Sequence, residues 1–200
     1  MFAESYMGVS PQQAKNFDKV FAEFFNKVKP STIIEIGTAS GATSLILNKT
    51  LKQNNHNFKF YTYDIIYRFS HNLLVNDGIE VRPYNIFTED YQEFNDVHYN
   101  ELVSSINREG VTVVLCDGGN KKMEFRLLSK IIKPGDYIMG HDYARSVDFF
   151  QTNIYNKIWN WCEITHSDIE DAVKKNKLEP FMEEEFEKIV WVCKRKPITH

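Results

Sequence analysis

A carboxylate and two glycines stand close together near residue 37, in a setting that suits an anionic ligand. From Thr32 to Thr43 the chain reads TIIEIGTASGAT, so a β-branched stretch containing Glu35 leads to Gly37 and Gly41, and an apolar helical pattern follows. Glycine has no Cβ and lets a ligand approach the backbone. The start of the next helix offers unpaired N–H groups and a positive dipole end. The spacing predicts a strand, a tight turn and a helix that open a nucleotide-binding α/β unit.

The same loop departs from the dinucleotide fingerprint G-x-G-x-x-G. The chain has Gly37-Thr38-Ala39-Ser40-Gly41 and lacks the middle glycine that lets a pyrophosphate approach. The acid Glu35 stands just before the first glycine instead. An ordinary tight turn between a strand and a helix is the alternative interpretation, so the rest of the chain has to decide.

Two aspartates follow other predicted strands. Asp64 comes after the alternating run 58–63, and a carboxylate at the tip of a second strand is placed to accept both hydroxyls of a ribose. A surface aspartate is the alternative interpretation of Asp64. Asp117 follows the continuously apolar run 111–116, which is typical of a central parallel strand. It is therefore predicted to lie at the ligand crevice of a doubly wound sheet.

The elements that position these residues alternate between strand and helix five times, which predicts one α/β domain over residues 1–200. We expect a Rossmann-like, doubly wound, mostly parallel sheet with helices on both faces. Residues 188–193 predict a final antiparallel strand, with 178–182 as its partner and the acid run 183–185 as a solvated turn. Ser167 and Glu170 predict the capping box of another helix.

Residues 1–30 are predicted to form an N-terminal helical cap. Ser10 is a capping residue, Pro11 suits the first helical position, and Gln13 completes a capping box. Apolar residues then recur at helical spacing until Pro30 ends the helix.

Residues 143–166 break the alternating pattern and are rich in aromatic side chains. We interpret this segment as an insertion over the crevice that selects the substrate. Two alternatives stay open: a helix whose aromatic residues join the core, and a contact between two copies of the chain.

The composition indicates which classes of binding partner and which cellular compartment to expect. The net charge of −3 gives no reason to expect nucleic acid, and the chain holds no apolar run long enough for a membrane span. Its three cysteines are far apart, as expected of reduced thiols in a cytoplasmic protein without a disulfide frame or zinc site. The start of the chain lacks the pattern of a signal peptide. A homo-oligomer is left open.

Motifs along nearly the whole chain resemble those of class I S-adenosylmethionine (SAM)-dependent methyltransferases. The motifs Lys133-Pro134-Gly135 and Gly140-His141-Asp142-Tyr143 are similar to those of a set of small methyltransferases. Relatives of that set include antibiotic-sugar O-methyltransferases and cephalosporin-hydroxylase-like proteins. The opening, with Glu-Ile-Gly-Thr-x-x-Gly after a helix, resembles catechol and caffeoyl-CoA type O-methyltransferases and is preceded by Met7, Val9, Pro11 and Gln13.

This resemblance implies a site for SAM. Glu35 would anchor the loop or the cofactor amine, and Asp64 would bind the ribose. Asn85 and Ile86 would meet the adenine, and Asp117 would lie beside the sulfonium and the acceptor. Met7 and Val9 would close over the cofactor, whose methionine part would be surrounded by Gly37, Thr38, Ala39, Ser40, Gly41 and Thr43.

The resemblance also implies the chemistry, an in-line displacement that depends on alignment and on deprotonation of the acceptor by a base or a metal. In metal-dependent relatives, carboxylates at the positions of Asp117 and Asp142 bind a divalent ion, for which oxygen ligands suit magnesium. This chain departs from the catechol-type pattern, because Tyr143 follows Asp142 where an asparagine is expected. It also has Asn120 at the place of the catalytic lysine, with Lys121 one step further on.

The metal pattern is thus incomplete, and His141 is predicted to act as general base or as a further ligand. The other histidines, His71 among them, have no such setting and are assigned no role. Catalytic function is accordingly predicted for His141, Asp117 and Asp142.

The sequence therefore predicts methyl transfer to a small-molecule or sugar acceptor, with oxygen favoured and nitrogen left open as the acceptor atom, and with magnesium as an optional second cofactor. A nicotinamide-dependent oxidoreductase and a non-catalytic cofactor-binding or assembly module are the alternatives. The identity of the acceptor is not encoded in any motif.

Overall fold

The computed structural model describes residues 3–6, 8–53 and 57–198. Within them the chain forms the strands β1 (Thr32–Ile36), β2 (Lys59–Tyr63), β3 (Glu80–Arg82), β4 (Thr112–Cys116), β5 (Tyr137–Gly140), β6 (Tyr143–Ala144), β7 (Ile164–Thr165), β8 (Glu179–Pro180) and β9 (Val192–Arg195). Seven of these form one sheet in the order β3-β2-β1-β4-β5-β9-β8, and β6 pairs with β7.

The large sheet is mostly parallel. β1 lies between β2 and β4 and is parallel to both, and β4 is parallel to β5. β9 runs antiparallel to both of its neighbours, β5 and β8. Every residue of β1 and of β4 is buried, because helices cover both faces of the sheet. The predicted Rossmann-like class, with its antiparallel C-terminal strand, is confirmed.

The α-helices are α1 (Phe17–Val28), α2 (Ala42–Gln53), α3 (His71–Asn76), α4 (Asp96–Ile106), α5 (Lys121–Ile131), α6 (Val147–Phe149), α7 (His166–Lys175) and α8 (Glu183–Glu187), and a π-helix spans Phe150–Ile154. Successive strand residues point to opposite faces, so Ile33 packs in one core with α1, α2 and α8, while Ile34 packs in the other with α4, α5 and α7. No helix among the described residues combines the length and apolar character that crossing a membrane requires.

The N-terminal helix starts later than predicted. α1 begins at Phe17, and the capping box expected at Ser10 is wrong because Gln12 and Asn16 have φ values of 49° and 66° and interrupt any helix there. Gln13 is buried and bonded to distant side chains, so its amide is not available to cap a helix. The segment before α1 instead crosses the glycine loop, where Thr43 Oγ1 donates to the carbonyl of Pro11 at 2.8 Å.

Local details near the C-terminus also differ. The final strand starts at Val192, because Val190 has a φ of 58° and lies in a turn. The acid run 183–185 is the first turn of α8, where negative charge suits the positive end of the helix. The capping box of α7 is formed by Thr165 and Asp168, two residues earlier than predicted. Pairing of β8 with β9 confirms the predicted antiparallel partner.

Candidate active site

The glycine loop packs directly against the end of β4. Gly37 has a φ of +92°, and a Cβ on it would lie 2.2 Å from the backbone oxygen of Asp117. The N–H of Asp117 donates to the carbonyl of Ile36 at 2.9 Å. Glycine is therefore needed here to bring the loop and Asp117 together, a packing reason that comes in addition to ligand approach.

Glu35 is buried beneath the loop with 1% of its surface exposed. Ser44 Oγ and Thr62 Oγ1 each donate to its Oε2 at 2.5 Å, and Thr38 Oγ1 lies 2.7 Å from Thr62 Oγ1. Burial raises the pKa of Glu35 to about 8, against the opposing effect of these two hydrogen bonds. The neutral carboxyl thus ties β1, β2, α2 and the loop together. Of its two predicted roles, this geometry favours the anchoring of the loop.

Asp64 and His71 fix the backbone of Ala39 from both sides. Asp64 Oδ2 accepts from the Ala39 N–H at 2.8 Å, and His71 Nε2 lies 2.9 Å from the Ala39 carbonyl. The N–H of Arg68 donates to His71 Nδ1, so Nε2 carries the hydrogen and donates. Ala39 is held at a φ of 47°. His71 therefore shapes the loop, a role that sequence reasoning did not assign.

A cavity of about 220 Å³ opens beside Asp64 at the carboxyl edge of the sheet. Gly37, Asn85 and Ile86 line it together with Asp64. Asn85 Oδ1 accepts from the Phe87 N–H at 3.0 Å, and Ile86 is almost fully buried. The residues predicted to hold ribose and adenine are thus brought together, whereas Met7 lies outside the described residues and Val9 is half-buried away from this group.

Asp117 and His141 meet across the ends of β4 and β5. His141 Nδ1 lies 2.9 Å from Asp117 Oδ1, and the ring of His141 stacks on Trp191 with 4.9 Å between centroids. When Nδ1 donates to the carboxylate, Nε2 keeps a lone pair, and this buried atom has no hydrogen-bond partner among the described residues. Burial lowers the pKa of His141, but the Asp117 and Asp142 carboxylates outweigh it, so the pKa lies above its ordinary value.

Gln13 connects the N-terminal segment to this pair. Its Nε2 donates to Asp117 Oδ2 at 3.0 Å, and its Oε1 accepts from Trp191 Nε1 at 2.8 Å. Because an indole N–H can only donate, the orientation of the Gln13 amide is fixed. Gln13 and Trp191 therefore support Asp117 and His141 from behind.

Lys121, the first residue of α5, places its ammonium among three carboxylates. Nζ lies 3.0 Å from Asp142 Oδ2, 2.8 Å from Glu163 Oε2 and 3.7 Å from Asp117 Oδ1. Desolvation lowers the pKa of Lys121, but the surrounding carboxylates raise it above its ordinary value. Asp142, at a φ of 55°, also accepts from Trp159 Nε1. The lysine therefore remains a charged, buried cation.

A second cavity of about 610 Å³ is lined by both the glycine loop and this charged cluster. Thr38, Ser40 and Thr43 line it on the loop side. Trp159 and Trp161 line it from the segment 143–166, and Trp161 is 51% exposed. Other aromatic residues of that segment, such as Phe150, are buried in the core. The segment thus both contributes to the core and borders the cavity.

The donor set for a divalent ion consists of Asp117, His141 and Asp142, whose ligand atoms all lie within 4.8 Å of one another. Each of the four carboxylate oxygens, however, already has a protein donor: His141 and Gln13 for Asp117, Trp159 and Lys121 for Asp142. The ammonium of Lys121 already contacts both carboxylates, so this arrangement does not fit a metal ion in addition to the lysine.

Sequence reasoning missed Gln13, His71 and Trp191 as parts of the site. The sequence places Gln13 in a local capping box and in the opening motif, includes Trp191 in a predicted strand, and gives His71 no motif. Their contacts link segments far apart in the chain, so no local pattern reveals these contacts.

No protein-family model and no curated protein sequence matches the chain. Among solved structures, CmcI in its apo form aligns with a TM-score of 0.63 over 98% of this chain and 77% of that one, at 10% identity. CmcI with Mg-SAM aligns with a TM-score of 0.62 over 96% and 76%, at 12% identity. Human N-acetylserotonin methyltransferase in complex with SAM aligns with a TM-score of 0.54 over 90% and 52%, at 13% identity. The fold of this chain is that of the class I SAM-dependent methyltransferases.

Proposed function

We propose that this chain transfers the methyl group of SAM to an oxygen of a small-molecule acceptor. The observation that carries the proposal is the position of Asp117. Its backbone packs against Gly37 of the loop, and its carboxylate oxygen Oδ1 lies 2.9 Å from Nδ1 of His141, within hydrogen-bond distance. The loop proposed to hold the cofactor and the histidine proposed as base thus both contact Asp117, which supports transfer between two aligned reactants.

The residues for the cofactor are those of the two cavities. Asp64 and Asn85 would hold the ribose and adenine beside Ile86, and the loop from Gly37 to Gly41 would hold the methionine part. When bound, SAM supplies an electrophilic sulfonium methyl group. The carboxylates of Asp117, Asp142 and Glu163 outnumber the one ammonium of Lys121, so the larger cavity has a negative charge that suits a sulfonium.

His141 would act as the general base. Asp117 accepts the hydrogen of Nδ1 and so presents Nε2 as the basic atom, which would take the proton of the acceptor hydroxyl. A positioned base of this kind contributes about 10²–10⁴-fold to a rate. The ring centroids of Trp159 and His141 are 5.3 Å apart. Movement of Trp159 would give the acceptor access to the buried Nε2 atom.

The acceptor would lie in the larger cavity, with the indoles of Trp159 and Trp161 on one side and the carboxylate of Glu163 on the other. Aromatic faces beside hydrogen-bonding side chains suit a ring that carries hydroxyl groups, such as a sugar or a phenol. Transfer to nitrogen is the competing reaction, since the same cofactor site would serve an amine acceptor.

Calorimetric titration with S-adenosylhomocysteine tests the cofactor assignment. We expect binding to the wild type and at least about tenfold weaker binding to Asp64→Ala. Asp64→Asn keeps an oxygen for the Ala39 N–H and separates support of the loop from ribose binding. Asp171→Ala, an exposed aspartate on α7, is the matched control. If the wild type binds no S-adenosylhomocysteine, or binds NAD instead, the proposal is wrong.

One observation favours a second candidate function, a module that binds the cofactor without catalysis. The Nε2 atom of His141 is buried. In such a module the segment 143–166 would be an interface between subunits. A tight oligomer in solution that binds S-adenosylhomocysteine and methylates none of a panel of sugars, phenols and amines would support this alternative.

A further inference from the structure

We infer that the ammonium of Lys121 is the resident cation of this site and takes the place that a divalent ion would otherwise hold between Asp117 and Asp142. The inference deepens the proposed function, because methyl transfer in this chain would then need no added metal. It rests on the contacts of Lys121, which can be examined without any cofactor.

The position of Lys121 within its helix is the first argument. A positive charge at the first residue of α5 faces the positive end of the helix dipole, which opposes it. The side chain is also buried, with 6% of the residue exposed. Nothing in the helix itself favours a lysine here, so the reason for its charge has to lie in what surrounds the ammonium.

The surroundings are those of a cation site. Three carboxylate oxygens lie 2.8, 3.0 and 3.7 Å from Nζ, and the backbone oxygen of Gly118 accepts from Nζ at 3.2 Å. These oxygens come from three separate segments of the chain: the turn after β4 supplies Asp117 and Gly118, the end of β5 supplies Asp142, and the segment before β7 supplies Glu163. Such an all-oxygen set is the kind that hard cations prefer.

The ammonium and a divalent ion exclude each other. A divalent ion held by Asp117 and Asp142 would have to share carboxylates whose oxygens already lie 3.7 Å and 3.0 Å from Nζ. Two cations that share the same carboxylates inside a protein repel each other strongly. Removal of the ammonium, in contrast, would leave three carboxylates facing one another.

Loss of the lysine should therefore create a metal site. We would titrate Mn²⁺ alone into the cofactor-free protein and follow free Mn²⁺ by electron paramagnetic resonance. We expect Lys121→Met to bind one Mn²⁺ at least about tenfold more tightly than the wild type. Lys122→Met, which removes an exposed neighbouring ammonium that pairs with Asp168, should behave like the wild type.

Two further variants keep the test decisive. Lys121→Gln should gain the same Mn²⁺ site if Lys121→Met does not fold, and Lys121→Arg should exclude Mn²⁺ because it keeps the charge. Binding of Mn²⁺ to the wild type as tightly as to Lys121→Met would overturn the inference. So would folded Lys121→Met and Lys121→Gln proteins that gain no affinity. The S-adenosylhomocysteine titration is a separate experiment, so its failure is distinguishable from a failure here.

Discussion

The amide of Gln13 joins Asp117 to Trp191, across separations of 104 and 178 residues in the chain. Trp191 in turn stacks on the imidazole of His141, whose Nδ1 bonds the other oxygen of the same Asp117 carboxylate. Four side chains therefore form a closed circuit at the carboxyl edge of the sheet. The circuit fixes the imidazole in one orientation.

Replacement of Gln13 should weaken both the fold and the site. Gln13→Ala leaves the buried indole N–H of Trp191 and one oxygen of Asp117 without this partner, a loss that costs about 1–3 kcal/mol for each buried group left unsatisfied. Denaturant unfolding measures the effect. Gln12→Ala changes an exposed neighbour and should unfold almost as the wild type does. Equal unfolding free energies for both variants would contradict the circuit.

Replacement of His141 should affect turnover far more than cofactor binding. His141→Gln removes the proposed base, so the rate of methyl transfer should fall by about 10²–10⁴-fold. The affinity for S-adenosylhomocysteine, measured by calorimetry, should stay within about twofold, because the imidazole would face the acceptor. His166→Gln, at the exposed start of α7, is the control and should leave both quantities unchanged. A His141→Gln protein with full activity would rule out this base.

Gly37 should tolerate no side chain. At Gly78 the φ is +85° with nothing within 4 Å of an added Cβ, whereas at Gly37 the φ is +92° and the added atom meets Asp117. Gly78→Ala should therefore cost only the strain of the left-handed backbone, about 1–2 kcal/mol. Gly37→Ala should cost more in thermal unfolding, and it alone should lose S-adenosylhomocysteine binding. Similar effects at both positions would mean that Asp117 yields to the added methyl group.

Glu35 should make the stability of the protein depend on pH. Its pKa is about 8 in the folded protein and near 4.5 when unfolded, so the folded state binds the additional proton between these values. Stability should then fall as pH rises from about 5 to 8, by at most about 1.4 kcal/mol per pH unit from this group.

Unfolding measured at several pH values checks this prediction. Glu35→Gln keeps a neutral acceptor for Ser44 and Thr62 and should show a flatter profile than the wild type. The exposed Glu109→Gln should keep the wild-type profile. A Glu35→Gln profile as steep as that of the wild type would show that Glu35 is ionised in the folded state.

The sequence by itself determined the alternation of the main parallel strands with helices and the class of the fold. The apolar runs of β1 and β4 and the alternation in β2 are local patterns, and hydrophobic burial acts on such patterns wherever they occur. The end of each parallel strand follows from the same runs, so Asp64 and Asp117 could be placed at one sheet edge, and the family resemblance added Asp142. The glycine at position 37 was also identified correctly as a special backbone position.

Only the tertiary structure decided which polar side chains meet. Gln13 fits a local capping box as well as it fits a distant carboxylate, and burial beside Asp117 and Trp191 settled the choice. His71 belongs to no motif, because its partner is a single carbonyl of a loop. The role of Lys121 depends on carboxylates from β4, β5 and Glu163 that converge only in the folded chain. Hydrogen bonds and ion pairs act over about 3–4 Å, so their partners are set by topology and not by spacing in the sequence.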